Sequence, residues 1–360
     1  MTSSSSALMS STSAQAVTTP PFTHERVLMT TGQRSGLTII VAVHSTVLGQ
    51  ALGGARLWQY EDWSDALTDA LRLSAAMTLK NAAAGLARGG GKSVIRIPVS
   101  QSLSDEQKRD AMLDLGDAIE SLGGAYMTAE DVGTSAELMA VVAERTAHVC
   151  GLPPEQGGVG EPADATAAGV YASILSTLEA VHGSRTVAGR HFVISGLGQV
   201  GGRLARMLAE AGARLSVADV ADRRALAAEL GAEWVPVAEA HRIEADMFVP
   251  CGLGGVLTPE VIEELRVASV VGAANNQLAH PDGALQLRHR GIAWAPDFVV
   301  NAGGVIYLDM ASSPDADAAS IEARVSRIGE TVTRIFADAE KNDVTTLEAA
   351  ESLALDRLNV

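Results

Sequence analysis

The chain is short of the features that mark secreted, membrane-spanning and nucleic-acid-binding proteins. Its two cysteines, Cys150 and Cys251, lie far apart and outside any Cys-x-x-Cys pair. A disulfide framework or a zinc site therefore has nothing to be built from, and a reducing, cytoplasmic compartment is expected. No apolar run reaches the roughly 18 residues that a membrane span requires. Basic charge is scarce: 27 Lys and Arg stand against 43 Asp and Glu, for a formal net charge of −16. That balance, with no local basic patch, repels phosphate backbones and argues against a nucleic-acid partner. The opening "MTSSSSALMSSTSAQAVTTPP" lacks a basic start and a sustained apolar core, so it fails as a secretory signal. Its Ser/Thr/Ala composition buries too little apolar surface to offset chain entropy, and residues 1–22 read as a disordered tail.

What is present suits an α/β protein of two domains. The length of 360 residues and the 47% hydrophobic content allow two cores of ordinary size. In the first block a β-rich run, "GLTIIVAVHSTVLGQALGG", precedes "WSDALTDALRLSAAMTLKNAAAGL", whose apolar spacing and strong helix formers predict a helix capped by Asp62 or Ser64. A glycine turn, a strand near 93–98 and a second helix follow, and Ser104 and Gln107 have the spacing of a capping box. "CGLPPEQGGVGEP" breaks the alternation and reads as a linker. The final 40 or so residues read as helices.

The strongest local signal is "RHFVISGLGQVGGRLARMLAEAGARLSVADV". An apolar strand runs into Gly196-x-Gly198-x-x-Gly201, a helix opens there, and a second strand ends at Asp219. This is the dinucleotide-binding fingerprint in its proper context. The first glycine permits the turn, the second lets backbone approach a pyrophosphate, and the third lets helix and strand pack closely. The helix N-terminus offers free N–H groups to the anion. Asp219 is placed to accept from a ribose 2′-hydroxyl, which favours NAD, while Arg223 and Arg224 leave NADP open.

"GLARGGGKSVI" imitates a phosphate-binding loop and fails as one. Position 86 is Leu where the first glycine is needed, and a strand follows where a helix should open. Lys92 then has two readings: a surface lysine beside a glycine turn, or a cleft lysine paired with Lys80. If the helix and the turn fold back, both ammonium groups face one cleft, where mutual repulsion and burial favour deprotonation and make one of them a base.

Taken together, "ALGGARLW", "AMTLKNAAAGLARGGGKSVI", "YMTAEDVGT", "GLGQVG", "VPCGLGGVLT", "GAANNQL" and "APDFVVNAGGVI" resemble the glutamate/leucine/phenylalanine/valine dehydrogenase family, in order and over nearly everything but the tail. The likeness is greatest to the phenylalanine, leucine and valine members. It implies a substrate and oligomerisation domain over 23–152, completed by 335–360, and a Rossmann domain over 153–334, with the active site between them. It implies reversible oxidative deamination of an L-amino acid to a 2-oxo acid and ammonia with NAD, no metal, and a homo-oligomer.

Residue by residue, the resemblance gives Lys80 the substrate α-carboxylate, makes Lys92 the catalytic lysine, and has Asp131 exchange protons with the substrate nitrogen. Gly53, Gly54 and Asn275 would contact the substrate. Gln199, Val200, Thr166, Cys251, Gly252, Asn275 and Asn301 would join the three loop glycines around the cofactor. Leu52 stands where glutamate dehydrogenases carry a lysine, and Leu308 where they carry a serine. With Ala129 and Val305 these line an apolar pocket that suits phenylalanine, valine or leucine and excludes glutamate, with a lean towards phenylalanine. Glu161 and Asp164 depart from the family pattern and are expected in a linker that touches substrate or cofactor. Two rivals stay open, a dehydrogenase of another amino or imino acid and a non-catalytic NAD sensor. So do blander roles: Asp131 as a helix cap, Leu52 and Leu308 as plain core.

Overall fold

The computed structural model describes residues 23–156, 162–311 and 317–358; the tail expected over 1–22 and Glu161 lie outside them. Within that span the chain builds two sheets, each with its own core. The first comprises β1 (Arg26–Thr31), β2 (Thr38–Ser45), β3 (Ala51–Tyr60), β4 (Gly89–Pro98) and β5 (Tyr126–Glu130), in the order β1-β2-β4-β3-β5. Three helices accompany it: α1 (Trp63–Ala83), α2 (Asp105–Glu120) and α3 (Ala136–Ala143). Both helix starts follow the local chemistry read from the sequence. Asp62 caps α1 in a box with Asp65, and Ser104 caps α2 in a box with Gln107.

Alternation along β2 sorts its side chains. Ile40 and Ala42 pack with Ala66 and Ala70 of α1, while Ile39, Val41 and Val43 pack with Met112 and Leu115 of α2 and Met139 of α3. The sheet is thereby covered on both faces.

The glycines expected to form a turn before Lys92 instead belong to strand β4. The reason is steric. A Cβ at Gly90 would lie 2.1 Å from Thr78 N in α1, one at Gly89 would lie 1.9 Å from Ser45 O, and one at Gly91 would lie 2.5 Å from the Tyr126 ring. The glycines let α1 press on the central strand, bringing the helix that carries Lys80 up to the strand that carries Lys92.

The second sheet is wholly parallel, in the order β8-β7-β6-β9-β10-β11. Its strands are β6 (His191–Ser195), β7 (Arg214–Ala218), β8 (Glu233–Trp234), β9 (Ala245–Pro250), β10 (Val267–Val270) and β11 (Ala293–Trp294). Helices α4 (Ala163–His182), α5 (Gln199–Glu210), α6 (Arg224–Glu229), α7 (Pro259–Glu264) and α8 (Gly283–His289) surround it. This is the doubly wound Rossmann order, and the strand sequence reverses between β6 and β9, where such sheets open a ligand crevice.

The chain ends in α9 (Asp297–Val300), α10 (Gly303–Ala311), α11 (Ala318–Ser326), α12 (Ile328–Asn342) and α13 (Thr346–Leu358). The limit expected at 334/335 falls inside α12, which packs on α4 through a continuous apolar stripe that includes Val332 and Ile335. The return to the first sheet is made by α13, whose Ala350 and Leu353 join Ala82 and Ala83 of α1 in one cluster.

Substituting Gly90→Ala should lower the urea midpoint by the equivalent of about 1–3 kcal/mol, the usual penalty for overpacking against backbone. An unchanged midpoint would mean that α1 is free to move away from β4.

Candidate active site

Where the two sheets face each other lies a cleft of about 340 Å³. From the first domain it receives Leu52, Gly53, Gly54 and Arg56 of β3, Met77 and Lys80 of α1, Lys92 of β4, and Ala129 and Asp131 at the end of β5. The second domain adds Thr166 of α4, Val200 of α5, Asn275, Asp297, Asn301 and, from α10, Val305 and Leu308. Every residue assigned to the substrate from the sequence borders this one space.

Its electrostatic centre is a buried ion pair. Lys92 Nζ stands 2.8 Å from Asp131 Oδ2, and the lysine side chain is 6% exposed. Burial pulls the Lys92 ammonium below its ordinary pKa, and Asp131 opposes that shift. For Asp131 burial raises the pKa, but Lys92 and Arg56 outweigh it and hold the carboxyl at about 2. Asp131 is no helix cap, because Ser135 caps α3. Gly54 makes room for the pair: a Cβ there would sit 2.7 Å from Asp131 Cβ and 3.1 Å from Lys92 Nζ.

Arg56 was not anticipated. Its Nε donates to the same Asp131 oxygen at 2.8 Å and its Nη1 meets Asp69 at 2.9 Å, while the Tyr60 hydroxyl donates to Asp69 at 2.7 Å. The available signal was its position two residues after Gly54 on one strand, hence on the same face.

Lys80 occupies the opposite wall, half-buried and open to the cleft. Enclosure by protein lowers its pKa to about 8; Asp297 opposes this and Lys92 adds to it. Its Nζ donates to Asn275 Oδ1 at 3.2 Å, and Asn301 Nδ2 donates to the same oxygen at 2.8 Å. Asp297 is a second unanticipated residue: burial raises its carboxyl, which accepts from Asn276 N at 2.7 Å. Across the cleft, Leu52, Ala129 and Leu308 cluster with Cys150 and Val305. Leu52 and Leu308 are therefore both core residues and cleft lining.

The glycine loop forms the adjoining crevice. Gly196 has φ +106°, and a Cβ on Gly201 would strike Gly196 O at 2.0 Å, so both are fixed by the fold. Gly198 differs, since a Cβ there would meet nothing within 4 Å among the described residues. Open space above the N-terminus of α5, whose first turn has no side-chain cap among those residues, fits a pyrophosphate. Asn301 Oδ1 is buried without a hydrogen-bond partner among the described residues, an acceptor that fits a ligand donor.

Asp219 accepts from Leu197 N at 2.6 Å and from Ala221 N at 2.7 Å, tying β7 to the loop. Gln199 takes up Arg203, whose Nη1 donates to its Oε1 at 2.7 Å. Cys251 and Gly252 press against the glycine loop, with Cys251 N donating to Ser195 O at 2.7 Å, and burial pushes the thiol up to about 11. Asp164 corrects an expectation: it lies in the first turn of α4, is bound to Arg203 at 2.6 Å, and does not line the cleft. The helix start attracts the acid. Among the described residues no cluster of His, Cys, Asp and Glu could hold a metal, and no helix is long and apolar enough to cross a membrane.

Comparison with known proteins matches residues 21–148 to the Glu/Leu/Phe/Val dehydrogenase dimerisation domain and residues 222–359 to the Glutamate/Leucine/Phenylalanine/Valine dehydrogenase domain. Leucine dehydrogenase of Geobacillus stearothermophilus is 38% identical over 94% of this chain and 91% of its own. Valine dehydrogenase of Streptomyces albus is 40% identical over 93% and 92%. Among solved structures, L-tryptophan dehydrogenase from Nostoc punctiforme superposes with a TM-score of 0.80 at 34% identity, covering 94% of this chain and 96% of that one. The chain thus belongs to the Glu/Leu/Phe/Val dehydrogenase family, oxidoreductases that act on amino acids.

Proposed function

We propose that the protein catalyses the NAD-dependent, reversible oxidative deamination of an apolar L-amino acid to its 2-oxo acid and ammonia. The observation that carries this reading is the juxtaposition of a buried lysine, a half-buried lysine and a carboxylate with an apolar wall, in one cleft beside a Rossmann crevice. The dinucleotide, when bound, supplies the acceptor for the hydrogen and electron pair that leave the α-carbon. The residues of the chain do the rest. Lys80, kept cationic by Asp297, binds the substrate α-carboxylate, with Asn275 orienting its ammonium. Lys92 takes a proton from the water that attacks the substrate iminium, and the resulting carbinolamine collapses to the 2-oxo acid as its nitrogen leaves with a proton.

In this reading Asp131 exchanges a proton with the substrate nitrogen, and does so in concert with Lys92. At a pKa of about 2 it stays anionic while Lys92 is charged. As Lys92 gives up its proton, the carboxyl loses its nearest counter-charge and becomes basic enough to accept from the substrate nitrogen. The two titrate as a unit.

The pocket wall supports an apolar substrate. A side-chain carboxylate placed against Leu52, Ala129, Val305 and Leu308 would be desolvated without a partner, at a cost of several kcal/mol. Relatives named for leucine and valine support a branched aliphatic side chain, and the one named for tryptophan keeps an aromatic side chain such as phenylalanine open. The match to a dimerisation domain supports a homo-oligomer built through the first domain, and the free thiols of Cys150 and Cys251 accord with a cytoplasmic location.

NAD is preferred to NADP in this reading because the Asp219 carboxylate, whose oxygens keep acceptor capacity beyond their two backbone contacts, would repel a 2′-phosphate. Arg224 is engaged elsewhere, 3.2 Å from Asp222 and 5.2 Å above the Trp234 ring centroid.

Measuring NAD reduction with L-Leu, L-Val, L-Phe and L-Glu tests the assignment. The apolar three should be turned over with kcat/KM at least about a hundredfold above glutamate, as an unpaired buried charge demands. Comparable rates on glutamate would remove the pocket reading, and no turnover of any would favour the NAD sensor. Lys92→Ala should lower kcat by several orders of magnitude while leaving NAD affinity intact, whereas Lys80→Ala should act chiefly through KM for the amino acid. Near-native kcat in the first variant, or an unchanged KM in the second, would reassign the lysines. Asp219→Ser should narrow the preference for NAD over NADP; equal use of both by the native enzyme would point Asp219 to loop bracing alone.

A further inference from the structure

A second cavity, of about 570 Å³, lies where the end of α1 meets the C-terminal helices. Val299, Ile306 and Leu353 give it an apolar floor, and its walls bear Arg324, Arg327, Arg334 and Arg357 against only Glu330 and Asp356. In a chain of net charge −16 this is a local reversal of sign.

Two of the arginines converge. Arg324 Nη2 donates to Ala84 O at 3.0 Å and Gly85 O at 2.6 Å, and Arg357 Nη1 donates to Ala82 O at 2.9 Å. A Cβ placed on Gly85 would stand 2.5 Å from both guanidinium nitrogens. The carbonyls at a helix C-terminus offset only a fraction of a charge. Among the described residues neither Arg324 nor Arg357 has a carboxylate within ion-pair distance. Burial, with repulsion from Arg327 and Arg357, pulls the Arg324 guanidinium below its ordinary pKa, although Asp309 opposes this. Arg327 and Arg334 hold their own helix acids, at 3.6 Å to Glu330 and 3.3 Å to Asp338, on largely exposed side chains that line the cavity. Adjacent cations at the edge of an open cavity are stabilised by a bound anion, and guanidinium forks suit phosphate oxygens.

We propose that this cavity binds a small organic phosphate, its phosphate between Arg324 and Arg357 and its body on the apolar floor. Four guanidiniums around one space favour a phosphate, with nearly two charges and three equivalent oxygens, over a single carboxylate. The volume is that of an ordinary small-molecule site. The location gives such a ligand a hold on the active site. Lys80 lies one turn before the capped carbonyls. The segment after Gly85 leads into β4 and Lys92, and Arg88 within it is tied at 2.6 Å to Asp309 of α10, next to Leu308.

The test uses the full chain with saturating NAD, so that the dinucleotide crevice is filled. The thermal midpoint is followed while inorganic pyrophosphate, AMP or citrate is added. Pyrophosphate and AMP should each raise the midpoint saturably, AMP at lower concentration because it also covers the apolar floor, and citrate should act weakly. The double variant Arg327→Gln with Arg334→Gln, which keeps the α1 cap, should require about tenfold more phosphate ligand, as expected for lost charge-assisted contacts, with unchanged kcat. Arg324→Gln should abolish the response, and if that variant does not fold the double variant still decides. No saturable rise, or equal half-saturation in the double variant, overturns the site. Citrate matching the phosphates overturns the choice of ligand.

Discussion

An ammonium group sealed from water can stay charged only beside a carboxylate, and the 2.8 Å contact between Lys92 and Asp131 is the constraint to which the rest of the cleft answers. Separating the two would leave the buried Lys92 charge without its partner. Asp131 must therefore be fixed, and a relay from β3 to α1 fixes it: Arg56 holds Asp131, Asp69 holds Arg56, and Tyr60 and Arg72 hold Asp69. The relay also keeps the carboxyl ionised, so the burial that weakens Lys92 as an acid-stable cation leaves Asp131 anionic. Lys80 stands in the field of Asp297, which opposes the burial that, with repulsion from Lys92, lowers its pKa to about 8.

Backbone proximity makes these contacts possible. Gly53 approaches Gly91 so closely that a Cβ would fall 1.8 Å from its carbonyl oxygen, and Gly54 yields the space that Lys92 Nζ and Asp131 occupy. Gly90 does the same for α1. A sheet with ordinary side chains at these positions would hold Lys80 and Lys92 too far apart to face one ligand. The glycines are thus structural in cause and functional in consequence. In the second domain the division is clearer: Gly196 and Gly201 are demanded by the fold, and a Cβ on Gly198, at a helix N-terminus, would meet nothing within 4 Å among the described residues.

The Rossmann half was legible because its signals are local. Strand, glycine loop, helix and acid follow one another within about thirty residues, the length of a βαβ unit. The helix caps at Asp62 and Ser104 were legible for the same reason. The glycine run before Lys92 reads as a turn because a glycine that lets a helix approach a strand looks, in sequence, like a glycine that makes a turn. Arg56 and Asp297 escaped notice because their partners are distant in the chain, 75 residues away for Arg56 and Asp131. Asp164 reads as a linker residue at the cleft because the sequence pattern breaks there, whereas α4 begins at Ala163 and its first turn favours an acid. Resemblance supplied what spacing did not, namely a separate proposed role for each of the two lysines.

The account rests on Lys92 acting as a base whose charge Asp131 controls. The most direct measurement is the pH dependence of kcat for the native enzyme and for Asp131→Asn with the best amino-acid substrate. Turnover needs neutral Lys92, so kcat rises as pH passes its pKa. Removing the Asp131 charge lowers that pKa, so the acid limb should move to lower pH by about one unit or more, even if the plateau falls. An acid limb that stays in place, or moves to higher pH, would contradict the account.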